Sequence, residues 1–417
     1  MSDRPGSVPP PLPSAAPIDA AQRVQALDVV RGFALLGIFL MNIEWFTRPV
    51  QEMGWGIDPA ATGIDRIAAW LVYVFVQGKF WVLFSLLFGM GFAVMSARGG
   101  HGPQFRRRYV RRCLVLLGIG LLHGVALWSG DILHAYAIAG LLLLAFGGIS
   151  NRALLWIGLV VYAALAAMVA FGGLALSALP DEAGSDFMEM AADMEAAAAV
   201  AAQVFSEGSW WQATVQRARD FGMAAAEGAL MVVPMALAVF MLGAWLVRSG
   251  RMHDVAAQRG WFARLALWTM PLGLALVASS AAVGTSFDGM RQIGPMMLAI
   301  GLIMLGSLPL ALAYLSLLVL GLGVPGLSRL LAWLAPAGRM ALTHYLLQSL
   351  IASTLFYGYG FGLWGQVGRA GQVVLVFAVF ALQVLASHWW LARFRFGPME
   401  WLWRWATYGQ RPRMRLA

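Results

Sequence analysis

Residues 110–149 read VRRCLVLLGIGLLHGVALWSGDILHAYAIAGLLLLAFGGI, two apolar runs (110–128 and 132–149) joined by Ser129, Gly130 and Asp131 and interrupted by two histidines. Each run is close to the roughly 18 to 20 residues that cross about 30 Å of hydrocarbon as a helix. Two such runs back to back predict a tight helical hairpin inside a membrane. In lipid every backbone N–H and C=O must be satisfied within the chain, so the class that follows is an all-α polytopic bundle.

Working outward, similar runs recur at 27–46, 68–96, 153–178, 228–248, 262–284, 293–321, 339–357 and 371–392, which gives about ten transmembrane helices. Composition agrees: of 417 residues 60% are hydrophobic and 12% charged, against about 25% charged in an ordinary soluble domain. The net charge of +9 is almost wholly arginine, because Lys79 is the only lysine. These arginines sit in short clusters between apolar segments, the pattern of cytoplasmic loops rather than of a nucleic-acid surface. The single cysteine, Cys113, excludes an intrachain disulfide, and no ligand spacing suggests a metal.

The loop after the second run carries Arg98, Arg106, Arg107, Arg108, Arg111 and Arg112, so it is expected in the cytoplasm. Alternation of ten spans then puts both termini inside and the acidic connection outside. Five regions follow. Residues 1–22 form a proline-rich cytoplasmic tail without the apolar core of a signal peptide. Residues 23–178 and 228–395 form two membrane bundles of about five spans each. Residues 179–227 form an external acidic loop with a short amphipathic helix, and 396–417 a basic, aromatic cytoplasmic tail suited to an anionic leaflet.

A charge at the centre of a spanning helix costs about 2.5 to 3.5 kcal/mol on insertion scales, so buried polar residues are functional candidates. Lys79, in LVYVFVQGKFWVLFSLLFG, lies about 15 Å into the second run. It is either a site residue or the structural partner of a carboxylate such as Glu44. Asp28 and Arg31, at i and i+3, form an intrahelical pair, or Arg31 holds a phosphate. Gly32 and Gly37 permit tight helix packing. His123 lies about 20 Å from the cytoplasmic boundary, with Asp131 available to orient and charge-stabilise its imidazole. Asp131 and His134 are expected at an external turn, where water makes them inexpensive. In PAGRMALTHYLLQS, Arg339, His344 and Gln348 share a cytoplasmic face that packs on a neighbouring helix or lines the entry of a ligand.

Several stretches together resemble one family. RVQALDVVRGFALLGIFLMNI, GKFWVLFSLLFGMGF, the hairpin above, GRMALTHYLLQS and GPMEWLWRWATYG are similar to the YeiB-like proteins of the bacterial inner membrane, whose C-terminal part is a domain of unknown function. The family is distantly similar to transmembrane acyltransferases such as heparan glucosaminide N-acetyltransferase. That similarity implies an acyl group passed from a cytosolic acyl-CoA to an acceptor on the other face, with a membrane histidine, here His123, in catalysis. Where the family pattern reads TNYL this chain has His344.

The expectation is therefore a multi-pass acyltransferase of the bacterial inner membrane, with the lipid bilayer, an acyl-CoA and a polar acceptor as partners and a homodimer as a candidate assembly. No tightly bound cofactor is expected; acetyl-CoA or another acyl-CoA is a co-substrate. Arg31 and Arg106, Arg107, Arg108, Arg111 and Arg112 hold its phosphates, with Arg339, His344 and Gln348 at the entry. His123, oriented by Asp131, is the general base, Lys79 stabilises the thioester oxyanion, and Asn42, Glu44 and His134 face the acceptor. The alternative is a transporter of a small polar or anionic solute that uses the same buried groups.

Overall fold

The computed structural model describes residues 25–54, 56–100, 102–178, 185–252 and 257–416. The proline-rich tail expected over 1–22 lies outside them. The described residues form fifteen α-helices and no strand: α1 (Gln25–Asn42), α2 (Gly63–Phe75), α3 (Lys79–Gly99), α4 (Pro103–Ala126), α5 (Leu133–Leu143), α6 (Asn151–Ser177), α7 (Ser185–Glu207), α8 (Trp210–Arg248), α9 (Arg259–Val283), α10 (Ile293–Leu322), α11 (Leu327–Ala332), α12 (Ala335–Arg339), α13 (Ala341–Phe356), α14 (Arg369–Leu391) and α15 (Pro398–Tyr408). The chain is an all-helical polytopic membrane protein. The apolar runs of the sequence are helical, and among the described residues eight segments are long and apolar enough to cross a membrane. The other two are shorter: α5 with the 3-10 turn that follows it covers Leu133–Phe146, and α13 has 16 residues.

The run expected as one span over 68–96 is a broken pair. The chain leaves α2 at Val76 and restarts at α3 through Gly78, whose φ of +81° favours glycine. Lys79 follows at once, fully buried, and its Nζ donates to the Tyr73 carbonyl at 2.9 Å. The ammonium thus satisfies one of the carbonyls that the end of α2 leaves without an intrahelical partner. The partner offered by the sequence reading, Glu44, is elsewhere: it pairs with Arg48 at 2.9 Å and Arg369 at 3.3 Å.

Helix α8 is the longest, with 39 residues, about 58 Å at helical rise. The run 228–248 is only its second half; the first half continues beyond the membrane thickness, opened by a capping box between Ser209 and Gln212. Trp210 and Trp211 are exposed at the far end of that extension. Helix α7 is the amphipathic helix expected in the connection, and it buries Ala191, Ala198, Ala201 and Phe205. Phe205 stacks on Tyr357 and Trp364, which fixes the end of α7 over the α13–α14 connection. Gly32 and Gly37 do permit close packing: a Cβ at Gly32 would meet the Leu334 carbonyl, and one at Gly37 the Phe80 ring.

Candidate functional site

The hairpin builds the centre of the site. At the end of α4 the N–H groups of Leu127 and Trp128 both donate to the His123 carbonyl, turning the chain back so that Asp131 folds against the helix it has just left. His123 Nδ1 lies 2.8 Å from Asp131 Oδ1. Asp131 Oδ2 accepts from the His134 backbone N–H at 2.9 Å and lies 3.1 Å from His134 Nδ1. Gly120 makes the room, because a Cβ there would lie 2.8 Å from Asp131 Oδ2. The turn is not a water-exposed one, contrary to the expectation from sequence. The side chains of His123 and Asp131 are 1% and 0% exposed, because α4, α5 and α8 close over them. Burial by itself raises the Asp131 carboxyl, but hydrogen bonds from His123 and His134 outweigh it and hold the group below its ordinary value.

The other side of the imidazole meets α13, where His123 Nε2 lies 2.9 Å from Ser349 Oγ. An ionised Asp131 has only acceptors, so His123 carries a proton on Nδ1, and a neutral imidazole then leaves Nε2 to accept from the Ser349 hydroxyl. Ser349 Oγ also reaches the carbonyl of Tyr345 on its own helix, at a longer 3.4 Å. The result is a Ser–His–Asp chain in which both carboxylate oxygens are held. Two aromatic rings flank it: Tyr345, 4.9 Å from the imidazole centroid, and Trp128, edge-on at 6.4 Å.

A cavity of about 280 Å³ leads toward this centre. Its mouth carries Arg31, Arg98, Arg108, Arg112, Arg339 and Arg404 against two acids, Asp28 and Glu400; six guanidinium groups less two carboxyls leaves an excess of four positive charges. Both acids are engaged. Asp28 pairs with Arg31 at 2.9 Å, as the i, i+3 spacing suggested. Glu400, on α15, accepts from Leu342 N, Thr343 N and Thr343 Oγ1 at 2.7, 3.1 and 2.6 Å, capping the start of α13. Burial outweighs those bonds and raises the Glu400 carboxyl. Arg112 lies 3.5 Å over the Trp403 ring, and Arg339 Nε is buried with no hydrogen-bond partner among the described residues. The C-terminal helix, expected as a membrane anchor, is thus a wall of this mouth. The rest of the lining is largely apolar and aromatic and includes Ile38, Phe84, Ile132, Leu133, Tyr136 and Tyr345. Tyr345 belongs to both places, lining the cavity and packing on His123.

The remaining candidates separate. Arg106, Arg107 and Arg111 point to the exposed face of α4 and do not line the cavity, whereas Arg108 and Arg112 do. His344 Nε2 lies 2.6 Å from Ser387 Oγ and Gln348 donates to Gln383 Oε1 at 2.9 Å, so both tie α13 to α14 and neither lines the cavity. Lys79 is committed to the α2 terminus and also does not line it. Asn42 is buried at the end of α1, and Glu44 belongs to a cluster with Arg48, Glu52 and Arg369. Trp128, edge-on to His123, stacks on Phe46 at 4.9 Å and donates to the carbonyl of Trp45, over whose ring Arg48 lies. Sequence reasoning missed Tyr345 and Ser349. They are one turn apart on α13, on the face next to the one marked by His344 and Gln348; a lone serine in an apolar helix ordinarily bonds its own i−4 carbonyl and carries no signal.

Residues 246–410 match a family model described as "Protein of unknown function (DUF418)". Among curated proteins, the chain is 31% identical over 413 residues to "Uncharacterized protein YxaH" of Bacillus subtilis (strain 168), covering 95% of this chain and 97% of the relative. It is 33% identical over 397 residues to "Uncharacterized protein YeiB" of Escherichia coli (strain K12), covering 93% and 96%. An "Uncharacterized 39.9 kDa protein in amylase 3'region" of Bacillus acidopullulyticus is 28% identical over 402 residues, covering 95% and 96%. No solved structure gives a significant match. With relatives above 30% identity aligned over almost the whole of both chains, this polytopic protein belongs to the YeiB-like family that carries the DUF418 region.

Proposed function

We propose that the protein is an acyltransferase of the bacterial inner membrane that takes an acyl group from a cytosolic acyl-CoA and passes it to a hydroxyl or amine acceptor at the other face. The observation that carries this reading is the cavity: an arginine-rich mouth, an apolar shaft, and an inner wall, Tyr345, that touches the imidazole of a Ser349–His123–Asp131 chain. An excess of guanidinium groups at one end suits the phosphates of coenzyme A. The apolar shaft suits the pantetheine arm, and rotation of Tyr345 brings the thioester to His123. There the imidazole takes the proton of an attacking hydroxyl, and Asp131 stabilises the imidazolium that forms. The serine–imidazole–carboxylate chain favours chemistry over solute passage, because a permeation route has no use for a hydroxyl aimed at Nε2.

The test is thermal stabilisation of the purified full-length protein by acetyl-CoA, CoA and ATP. A ligand at ~100 times its Kd stabilises by about 2.7 kcal/mol. Acetyl-CoA and CoA should raise the melting temperature, ATP much less, and His123→Ala should retain the shift while losing turnover. No shift with any CoA species at millimolar concentration refutes the proposal.

A further inference from the structure

We infer that Ser349 is the first acyl acceptor, so that transfer runs through a covalent acyl-serine rather than directly from thioester to final acceptor. The inference rests on the acyl-CoA reading above and adds to it a nucleophile and an order of steps.

Three observations carry it. Ser349 Oγ is 2.9 Å from His123 Nε2, within hydrogen-bond reach of the nitrogen that would take its proton. The far nitrogen is 2.8 Å from Asp131 Oδ1, and the second carboxylate oxygen is fixed by His134 through its backbone N–H and ring. This is the arrangement in which an adjacent base activates a weak hydroxyl nucleophile and a third group fixes the tautomer of that base. Finally, Ser349 is one helical turn beyond Tyr345 on α13, and Tyr345 both lines the cavity and packs on the His123 ring. A serine serving only to join α13 to α4 needs neither a buried carboxylate behind its partner nor a ligand cavity leading to it.

The chemistry balances. Ser349 Oγ adds to the thioester carbonyl carbon while its proton moves to His123 Nε2. The adduct collapses with cleavage of the C–S bond, and the departing thiolate takes that proton, leaving free thiol and a Ser349 ester. In the second half the acceptor oxygen or nitrogen adds to the ester carbonyl as His123 takes its proton. The C–Oγ bond then breaks, and Oγ recovers the proton from His123. No oxidant or reductant enters, and the donor and acceptor need never occupy the site together. A donor from one face and an acceptor from the other can therefore share one small buried centre.

The experiment uses full-length protein in detergent, mixed with acetyl-CoA and no acceptor. The expected result is a burst of one thiol per protein and an acetyl ester located on Ser349 by peptide mass spectrometry. Ser349→Ala should lose the burst by roughly 10³-fold or more while keeping the acetyl-CoA thermal shift, which shows that it folds and binds. Ser349→Cys should form a thioester cleaved by neutral hydroxylamine. A retained thermal shift with no burst and no ester in the wild type overturns the covalent step and leaves the acyl-CoA reading standing. A burst that persists in Ser349→Ala also overturns it, and absence of any shift overturns both.

Discussion

Replacing Asp131 by Asn tests the centre at nearly constant volume. Asp131 accepts from three donors through two oxygens: the His123 ring at 2.8 Å, and the His134 backbone and ring at 2.9 and 3.1 Å. An amide has only one oxygen. If that oxygen faces His123, the NH₂ group opposes the His134 backbone N–H, while the His134 ring can change tautomer and accept from it. One hydrogen bond to a charged acceptor is then lost, at about 1.5 to 3 kcal/mol. If the amide turns over, its NH₂ meets His123 Nδ1, which must become an acceptor. The imidazole proton then moves to Nε2, and Ser349 changes from donor to acceptor, which removes the base from the hydroxyl. A wrong tautomer of this kind lowers kcat by about 10⁴ in serine hydrolases. Asp131→Asn should therefore lower the melting temperature by several degrees and abolish thiol release from acetyl-CoA, with the acetyl-CoA shift retained because Asp131 does not line the cavity. The assay is scanning fluorimetry alongside thiol release. A variant that melts and turns over like the wild type refutes the proton assignment and with it the relay.

Three further outcomes follow from the same geometry. Arg339→Ala should weaken acetyl-CoA binding five- to tenfold, a loss of about 1 to 1.4 kcal/mol, whereas a triple replacement of the exposed Arg106, Arg107 and Arg111 by Ala should leave it within twofold; titration of the thermal shift separates the two. Lys79→Met removes the donor to the Tyr73 carbonyl and should lower the melting temperature while sparing the acetyl-CoA shift; loss of the shift at unchanged stability would instead restore Lys79 to the site. Glu400 holds its proton more tightly in the folded protein than at its ordinary value of 4.5, chiefly through burial. The folded state then binds more protons than the unfolded state just above that pH, so this group makes stability fall as pH rises through the interval. Glu400→Gln should flatten that part of the melting profile against pH, and a slope unchanged by the substitution would contradict the assignment.

The membrane class is legible in the sequence because hydropathy acts over whole helices. Its limits show where the physics is local. A window over 68–96 reads as one span because both halves are apolar, and the break depends on the single backbone conformation of Gly78. The arginine cluster at the start of α4 reads as one charge, yet spacing divides it: Phe105, Arg108, Arg112 and Leu116 fall on one helical face and line the cavity, while Arg106, Arg107 and Arg111 fall on another. Helical periodicity applied to the arginines themselves separates those two groups. His123 stands out by its cost in an apolar run, whereas Asp131 reads as an inexpensive residue of an external turn and only the fold buries it. Ser349 does not stand out either, since only the meeting of α13 with α4 gives its hydroxyl a partner other than its own helix.

That meeting also explains why the centre is enclosed on both sides. Tyr345 stands between His123 and the arginine-rich cavity, and Trp128, stacked on Phe46, stands between His123 and the Glu44 cluster. An ester or thioester beside an activated hydroxyl is lost to water if water reaches it, and exclusion of water also strengthens the interaction of Asp131 with the imidazolium. Two rings that yield separately, one toward each face, would admit donor and acceptor in turn while keeping the centre dry between them. The acyl-serine proposed above is the species such an enclosure would protect, because it would carry the acyl group through the interval in which neither partner is bound.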